Sequence, residues 1–392
     1  MDLAVSRPTP RWLHVWAIVT VVDAVLLLVL GGFVTSFRVG MADPVWPTEP
    51  WYLASNFKVD FGYLVEHFHR ILGWSIGLLG LVLTFGLWAL EPRGSVRWFG
   101  IASLVALVAA FSAFHGVLRM ADPGQEGLPV FVNVAVMAFT VGLVLAAAYR
   151  TWAGGGTGGL VRAAVVVGMI AAMIQGLLGG VRVRYNELAG RELSAVHGVV
   201  AQIVFALLMA VAVLTAKPKP GPDIPANAVR KLRWQSSAFI LVTFAQIVFG
   251  AWIRHFPGPL SNRLHLIFAF AVVGFATLVI KQALSDPVAR ERLRVPAAFL
   301  MGLIMLQVLL GVEAWVGKFL TGTLPELEHI TAGKAFLRTA HAHIGAWVLA
   351  VGVVFALVAR RSATEPVGPQ ESASVDWQDT PRYAANSVRS PA

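Results

Sequence analysis

The chain has 392 residues, of which 57% are hydrophobic and 13% charged, and its mean hydropathy is +0.70. An ordinary soluble domain carries about 25% charged residues, so this composition excludes that class, and the complete lack of cysteine excludes disulfides, thiolate metal sites and a cysteine nucleophile. The net charge of +10 is scattered between apolar runs rather than gathered in one patch, so nucleic acid is not expected as a partner.

Ten long apolar runs follow one another along the chain: 12–37, 62–90, 97–118, 129–149, 161–181, 194–216, 235–255, 262–283, 296–317 and 338–360. About 20 such residues in a helix cross a hydrocarbon core of about 30 Å. No small-residue cleavage site follows the first run, so it is predicted to be a membrane helix and not a signal peptide. The predicted fold class is all-α, a polytopic transmembrane bundle of about ten helices.

The loops divide the chain into two halves. The segment 217–234 is rich in proline and charge, and it predicts a cytoplasmic linker between an N-terminal half, 12–216, and a C-terminal half, 235–361. The polar segment 362–392 has the composition of a disordered cytoplasmic tail. The two most basic loops, 217–233 and 281–294, lie on the side of both termini. Because cytoplasmic loops are enriched in lysine and arginine, we expect a multi-pass protein of the cell (plasma) membrane with both termini cytoplasmic.

An internal repeat relates the two halves. Residues 30–37, LGGFVTSF, resemble residues 249–256, FGAWIRHF, and residues 174–180, IQGLLGG, resemble residues 306–312, LQVLLGV. Aligned on these motifs, helices 1, 2, 5 and 6 correspond to helices 7, 8, 9 and 10, which leaves helices 3 and 4, within 97–149, as an inserted pair. Both units cross the membrane in the same direction. We therefore expect two parallel four-helix repeats, an arrangement in which functional groups gather between packed helices.

Four histidines share one setting, near the outer start of an even-numbered helix and three residues after a polar side chain: His69, His197, His265 and His341. A rise of about 1.5 Å per residue puts them at similar depth in the membrane. Imidazole suits iron, and haem iron is commonly held by axial histidines, so two per repeat predict two bis-imidazole sites. A bare zinc or copper site is disfavoured because no carboxylates or thiols accompany each pair. The alternative is four histidines that hydrogen-bond between helices or contact lipid headgroups.

The segment EHFHR contains two histidines, a glutamate and an arginine at the mouth of the second helix. Residues two apart on a helix point about 200° apart, so His67 and His69 cannot both face the bundle centre, and the same holds for His341 and His343. Glu66 shares a face with His69 because the two are three residues apart. This pattern makes His69 the inward histidine and Glu66 a candidate proton acceptor, with a carboxylate that simply reaches the interface as the alternative.

At these residues the chain resembles the haem A synthase family, membrane enzymes that convert haem O to haem A for cytochrome oxidase. The motifs that carry the resemblance span about residues 15–360: GFVTS at 32–36 with GMA at 40–42 and WPT at 46–48, EHFHR at 66–70, QGLLGG at 175–180, the helix around His197, NRLH at 262–265, and RTAH at 338–341 with Gly345.

The resemblance implies oxidation of the C8 methyl group of haem O to a formyl, with electrons leaving through a bound haem b. It implies that His265 and His341 are axial ligands of haem b, that His69 and His197 flank the haem O substrate, and that Glu66 is essential. Cations near the outer helix ends would bind the propionates, and the candidates are Arg70, Arg182, Arg184, Arg254 and Arg263. Expected partners are the lipid bilayer, a haem O synthase and cytochrome oxidase assembly proteins.

Three features depart from the family pattern. The loop DPVWP at 43–47 replaces the usual Val-Pro-Asp-Trp-Pro, helices 3 and 4 with His115 are additional, and the cysteine pair of some bacterial members is absent. The altered loop and added helices motivate an alternative interpretation, a non-catalytic haem-binding or haem-transfer membrane protein. The parallel repeat motivates a third, a small-molecule transporter.

Overall fold

The computed structural model describes residues 10–43, 60–120, 127–153, 157–217, 224–319 and 329–361. These residues form ten helices: α1 (Arg11–Ser36), α2 (Phe61–Ala89), α3 (Gly94–Met120), α4 (Gly127–Ala153), α5 (Thr157–Arg184), α6 (Asn186–Thr215), α7 (Ala226–His255), α8 (Pro259–Ser285), α9 (Pro287–Phe319) and α10 (Ala332–Arg361). Each is long and apolar enough to cross a membrane. The predicted all-α polytopic bundle is therefore confirmed; the tail 362–392 lies outside the described residues.

Four helices begin six to nine residues earlier than the apolar runs predict. α6, α7, α9 and α10 start at residues 186, 226, 287 and 332, whereas the runs start at 194, 235, 296 and 338. In α6, α7 and α9 the added turns are rich in polar residues, which hydropathy does not mark as part of a membrane helix. In α9 the expected first residue, Pro296, lies inside the helix, and Asp286 caps the true start by accepting a hydrogen bond from the Ala289 backbone N–H (2.9 Å).

The helices pack as two closed rings of four. In the N-terminal half α1 contacts α2, α2 contacts α5, α5 contacts α6, and α6 returns to α1. In the C-terminal half α7, α8, α9 and α10 close a ring in the same order. The inserted helices α3 and α4 pack on each other and lie outside the first ring, against α2 and α5. Each ring therefore encloses its own interior, and the insertion leaves the first ring intact.

Each ring has its own apolar core. Leu13 and Phe205 belong to the core of the N-terminal ring, whereas Phe239 and Phe355 belong to that of the C-terminal ring. A third core, around Trp88, joins α3 and α4 to the first ring. Lipid is as apolar as these side chains, so close packing rather than burial from water holds membrane helices together.

Helix α10 lies in the seam between the rings, where it contacts α1 and α6. At Gly32 of α1 a Cβ atom would lie 2.5 Å from Cγ2 of Thr339, so the two helices can approach this closely only because residue 32 has no side chain. Nearby, the hydroxyls of Ser36 and Thr339 are hydrogen-bonded (3.0 Å), and Arg254 donates to Ser36 (2.8 Å). The seam is thus tight and polar at the end of the bundle where α1 ends and α2 begins, here called the histidine end.

Candidate functional site

Each of the four matched histidines lies against a glycine on the helix that precedes its own. A Cβ built at that glycine would lie 2.8–3.2 Å from Cε1 of the histidine ring, closer than side chains normally pack. The glycines therefore let each imidazole rest directly on a neighbouring backbone. The pairs are Gly31 with His69, Gly179 with His197, Gly250 with His265 and Gly311 with His341.

The residue four positions before each glycine supplies a second contact to the histidine ring. A helix carbonyl points toward the residue four positions on, so a glycine there leaves that carbonyl open to a neighbouring side chain. His69 Nδ1 uses it and donates a hydrogen bond to the Leu27 carbonyl (3.1 Å). The backbone of Gln246 and of Gln307 faces His265 and His341 in the same way, but too loosely for a hydrogen bond, and both Nδ1 atoms are buried without a partner among the described residues. A donor at Nδ1 leaves Nε2 as the metal-binding nitrogen.

His265 and His341 face each other across the C-terminal ring. Their ring centroids are 6.2 Å apart and the ring planes are at 76°. A metal binds an imidazole nitrogen at about 2 Å, so two imidazoles on opposite sides of one metal ion have centres about 6 Å apart. The observed separation fits an iron atom held between the two rings. The Gln246 amide nitrogen lies 3.4 Å from His265 Nε2, so this side chain would have to turn away for a metal ion to bind there.

His69 and His197 form the corresponding pair in the N-terminal ring, close enough to interact electrostatically. The Gln175 amide nitrogen lies 3.1 Å from Nδ1 and 3.3 Å from Nε2 of His197, and donates to the His197 carbonyl (2.9 Å). Gln175, Gln246 and Gln307 hold the same place in the repeat, four residues before the glycine. The first helix has Leu27 there instead, so the two histidine pairs have different polar surroundings.

Glu66 belongs to a buried network at the mouth of α2. Its Oε2 accepts a hydrogen bond from the Asp43 backbone N–H (2.7 Å), and its Oε1 accepts one from Arg70 (2.7 Å). His67 Nδ1 donates to the Asp43 carboxylate (2.8 Å), and all of His67 and Asp43 is buried. His67 and His69 thus contact different partners. The carboxylate of the altered loop holds this network together.

The candidate propionate ligands differ in their surroundings. Arg70 is committed to Glu66 and to the Asp43 carbonyl (3.1 Å), whereas Arg254 donates to Ser36 and Arg263 is exposed. Arg182 donates to Ser194 (2.7 Å) and lines a cavity of about 310 Å³ at the histidine end. Arg38 and His255 also line this cavity, and none of its described lining residues is acidic. An anionic group is therefore best accommodated beside Arg182.

Two of the remaining histidines have partners of other kinds. His343 Nε2 accepts a hydrogen bond from the indole of Trp347 (3.1 Å), whereas His341 faces His265. His115 of the inserted pair packs on Phe111 and Trp74, with ring centroids 4.5 and 5.4 Å away. Among the described residues no cluster of three or more His, Cys, Asp or Glu side chains could hold a bare metal ion.

The sequence alone did not indicate the Asp43–His67 pair or the role of the glutamines. The glutamines had a visible signal, because Gln175 and Gln307 occur at equivalent positions of the repeat. The Asp43–His67 pair had none, since it joins a loop to a helix 24 residues away. Comparisons with models of known families, with characterised proteins and with solved structures gave no match for this chain, so the functional interpretation depends on the geometry of the histidine pairs.

Proposed function

We propose that the protein is a haem A synthase-like membrane oxidoreductase that converts the C8 methyl group of haem O to a formyl. The observation that supports this proposal most directly is the His265–His341 pair, whose 6.2 Å separation suits one iron atom between two imidazoles. The repeat of the same glycine–histidine contact in the other ring gives a second pair for a second haem. One ring then serves as the cofactor site and the other as the substrate site.

In this proposal His265 and His341 hold haem b, and His69 and His197 flank haem O. When bound, haem b supplies a one-electron redox centre. Arg182 and Arg254 lie where propionates at the histidine end would need cations. Glu66 is kept as an oriented carboxylate by Arg70 and the Asp43 N–H, in reach of the mouth of the N-terminal ring. Its role is to accept a proton there.

A non-catalytic haem-binding or haem-transfer protein is the second candidate function. The hydrogen bonds of Glu66 favour it, because Arg70 and the Asp43 N–H already bind both carboxylate oxygens. A carboxylate held this firmly can serve structure rather than proton transfer. The two candidates differ in whether haem A is formed, not in whether haem is bound.

Haem content tests both candidates together. Purified protein should contain haem b, measured as the pyridine haemochrome, and His265→Ala or His341→Ala should remove it. His343→Ala is the matched control, because His343 is near His341 in sequence but bonds Trp347. A colourless preparation, as a small-molecule transporter would give, would overturn both candidates.

Product formation separates the enzyme from the binder. Co-expression with a source of haem O should yield haem A, identified by chromatography of extracted haem. Glu66→Gln should abolish haem A while haem b is retained, because the substitution lies in the other ring. Haem binding without any haem A in the unsubstituted protein would favour the second candidate.

A further inference from the structure

Asp23 is a carboxyl group near the middle of helix α1, where the hydrocarbon core would surround it. It is 9% exposed, and the hydroxyl of Ser75 on α2 is its only hydrogen-bond partner among the described residues. Ionisable groups inside membrane helices are costly, and they usually mark functional sites. The proposed roles of the histidines, Glu66 and the arginines do not use this pair.

The position of Asp23 connects it to the substrate site. Asp23, Leu27 and Gly31 are four residues apart and lie on one stripe of α1, with successive members about 6 Å apart along the axis. Gly31 and the Leu27 carbonyl are the two groups of α1 that contact the His69 ring. Asp23 therefore lies one turn deeper than the groups that hold His69, on the same face of α1.

Of the four helices related by the repeat, only α1 has a carboxyl group at this position. The residues eight positions before the equivalent glycines are Ala171, Val242 and Leu303. The residues that correspond to Ser75, six positions after each histidine, are Ile203, Ala271 and Trp347. The other three helices have a glutamine four residues before the glycine, whereas α1 has Leu27 there. In α1 the polar side chain is Asp23, one turn deeper. The Asp23–Ser75 pair occurs only beside His69, in the ring assigned to the substrate.

The Asp23–Ser75 pair can accept a further hydrogen bond. Ser75 Oγ lies within hydrogen-bonding distance of both Asp23 and the Leu72 carbonyl (2.9 Å), although it has one proton to donate. The second oxygen of the Asp23 carboxyl has no partner among the described residues. It can accept a hydrogen bond from a ligand hydroxyl.

We infer that Asp23, oriented by Ser75, determines specificity in the N-terminal site by accepting a hydrogen bond from the hydroxyl that distinguishes haem O from haem b. This inference rests on the proposed function. Haem O carries its propionates on one edge and its hydroxyalkyl group with the farnesyl chain toward the opposite edge, where haem b has a vinyl group. With the propionates directed to the arginines at the histidine end, the hydroxyalkyl edge faces deeper, toward Asp23.

A titration with two haems tests this inference. Protein purified with its resident haem b is titrated in detergent with haem O or with additional haem b, and binding is followed by Soret difference spectra. A site built to bond a hydroxyl rejects the analogue without it, so we expect haem O to bind about tenfold more tightly than haem b. Asp23→Val should remove this preference, and Asp23→Asn, which keeps a carbonyl acceptor, should retain it.

Thr243→Val on α7 is the matched control, since it removes a buried hydroxyl from the other ring and should leave the preference unchanged. Retained resident haem b shows that a variant is folded. If Asp23→Val does not fold, Ser75→Ala replaces it and should reduce the preference. A tenfold preference that survives the loss of Asp23 or Ser75, or equal binding of the two haems by unsubstituted protein, would overturn the inference. If unsubstituted protein binds no haem at all, the proposed function itself fails.

Discussion

Gly311 gives His341 the room to lie against helix α9. A Cβ at this position would lie 3.0 Å from Cε1 of the imidazole, and a branched side chain would push the ring away from His265. We expect Gly311→Val to lower the haem b content at least several-fold while the protein remains folded. Pyridine haemochrome per mole of protein measures the loss, and circular dichroism reports the helices.

Gly302 provides the matched control for this substitution. It lies on the same helix, and a Cβ built there meets nothing within 4 Å. Gly302→Val should therefore keep full haem content, although it changes helix propensity in the same way. Equal haem loss in the two variants would mean that the glycine–histidine contact is not what positions the ligand.

At the scale of single residues, the sequence predicts side chains whose position follows from helix geometry. The matched glycine contacts of the four histidines follow from their equivalent places in the repeat, and the different partners of His67 and His69 follow from their 200° separation. Contacts between distant segments do not follow from such rules. The loop carboxylate of Asp43 reaches His67, and Ser75 reaches Asp23 from another helix, so neither pairing is visible in any periodic pattern.

At the scale of helices, the end of α6 is held by a side chain of α10. Arg361 donates hydrogen bonds to the carbonyls of Val213 (2.6 Å), Leu214 (2.8 Å) and Ala216 (3.3 Å). The Val213 carbonyl also accepts from the Ala216 backbone N–H (3.3 Å), whereas the last carbonyls of a helix lack the partner that a further turn would supply. A cation there also meets the negative end of the helix dipole. We expect Arg361→Ala to cost about 1 kcal/mol of stability, measured by thermal unfolding in detergent. Arg360→Ala should change stability much less, because the described contacts show no hydrogen bond from Arg360 to α6.

The loop between α2 and α3 is tied to α5 by a buried carboxylate. Burial alone would raise the pKa of Glu91, but hydrogen bonds from Arg93 and the charge of Arg162, whose guanidinium lies 2.7 Å away, outweigh it and lower the pKa below its ordinary value of 4.5. A carboxyl whose pKa is lower in the folded state stabilises the fold above its unfolded pKa, and the stabilisation is lost as the pH falls through the folded value.

Glu91→Gln tests this ion pair. The unfolding temperature of unsubstituted protein should exceed that of the variant at neutral pH, and the difference should shrink as the pH is lowered below 4.5. Glu187→Gln serves as control, since Glu187 is exposed at the start of α6. A difference that stays constant down to acid pH would show that Glu91 contributes by packing and not by charge.

For the molecule as a whole, the internal repeat predicted the two four-helix units, because each repeated motif marks one helix pair. Two copies of a four-helix unit can each close a ring, and the inserted pair can be accommodated only outside the first ring, as the contacts of α3 and α4 with α2 and α5 show. The seam could not be predicted in this way. It depends on which face of α10 meets α1, and that is decided by the close approach of Thr339 to Gly32.

The orientation in the membrane follows from charge rather than from packing. The basic segments at the start of α7, at the end of α8 and at the start of α9 lie at the end of the bundle opposite the histidine end, so we expect that end to face the cytoplasm. The chain contains no cysteine, so single-cysteine variants need no altered background. Lys217→Cys, exposed after α6, should react with an impermeant maleimide only after the membrane is opened, whereas Thr331→Cys, exposed before α10, should react in intact cells. The reverse labelling would put the histidine pairs on the cytoplasmic side and would contradict the orientation inferred from the basic residues.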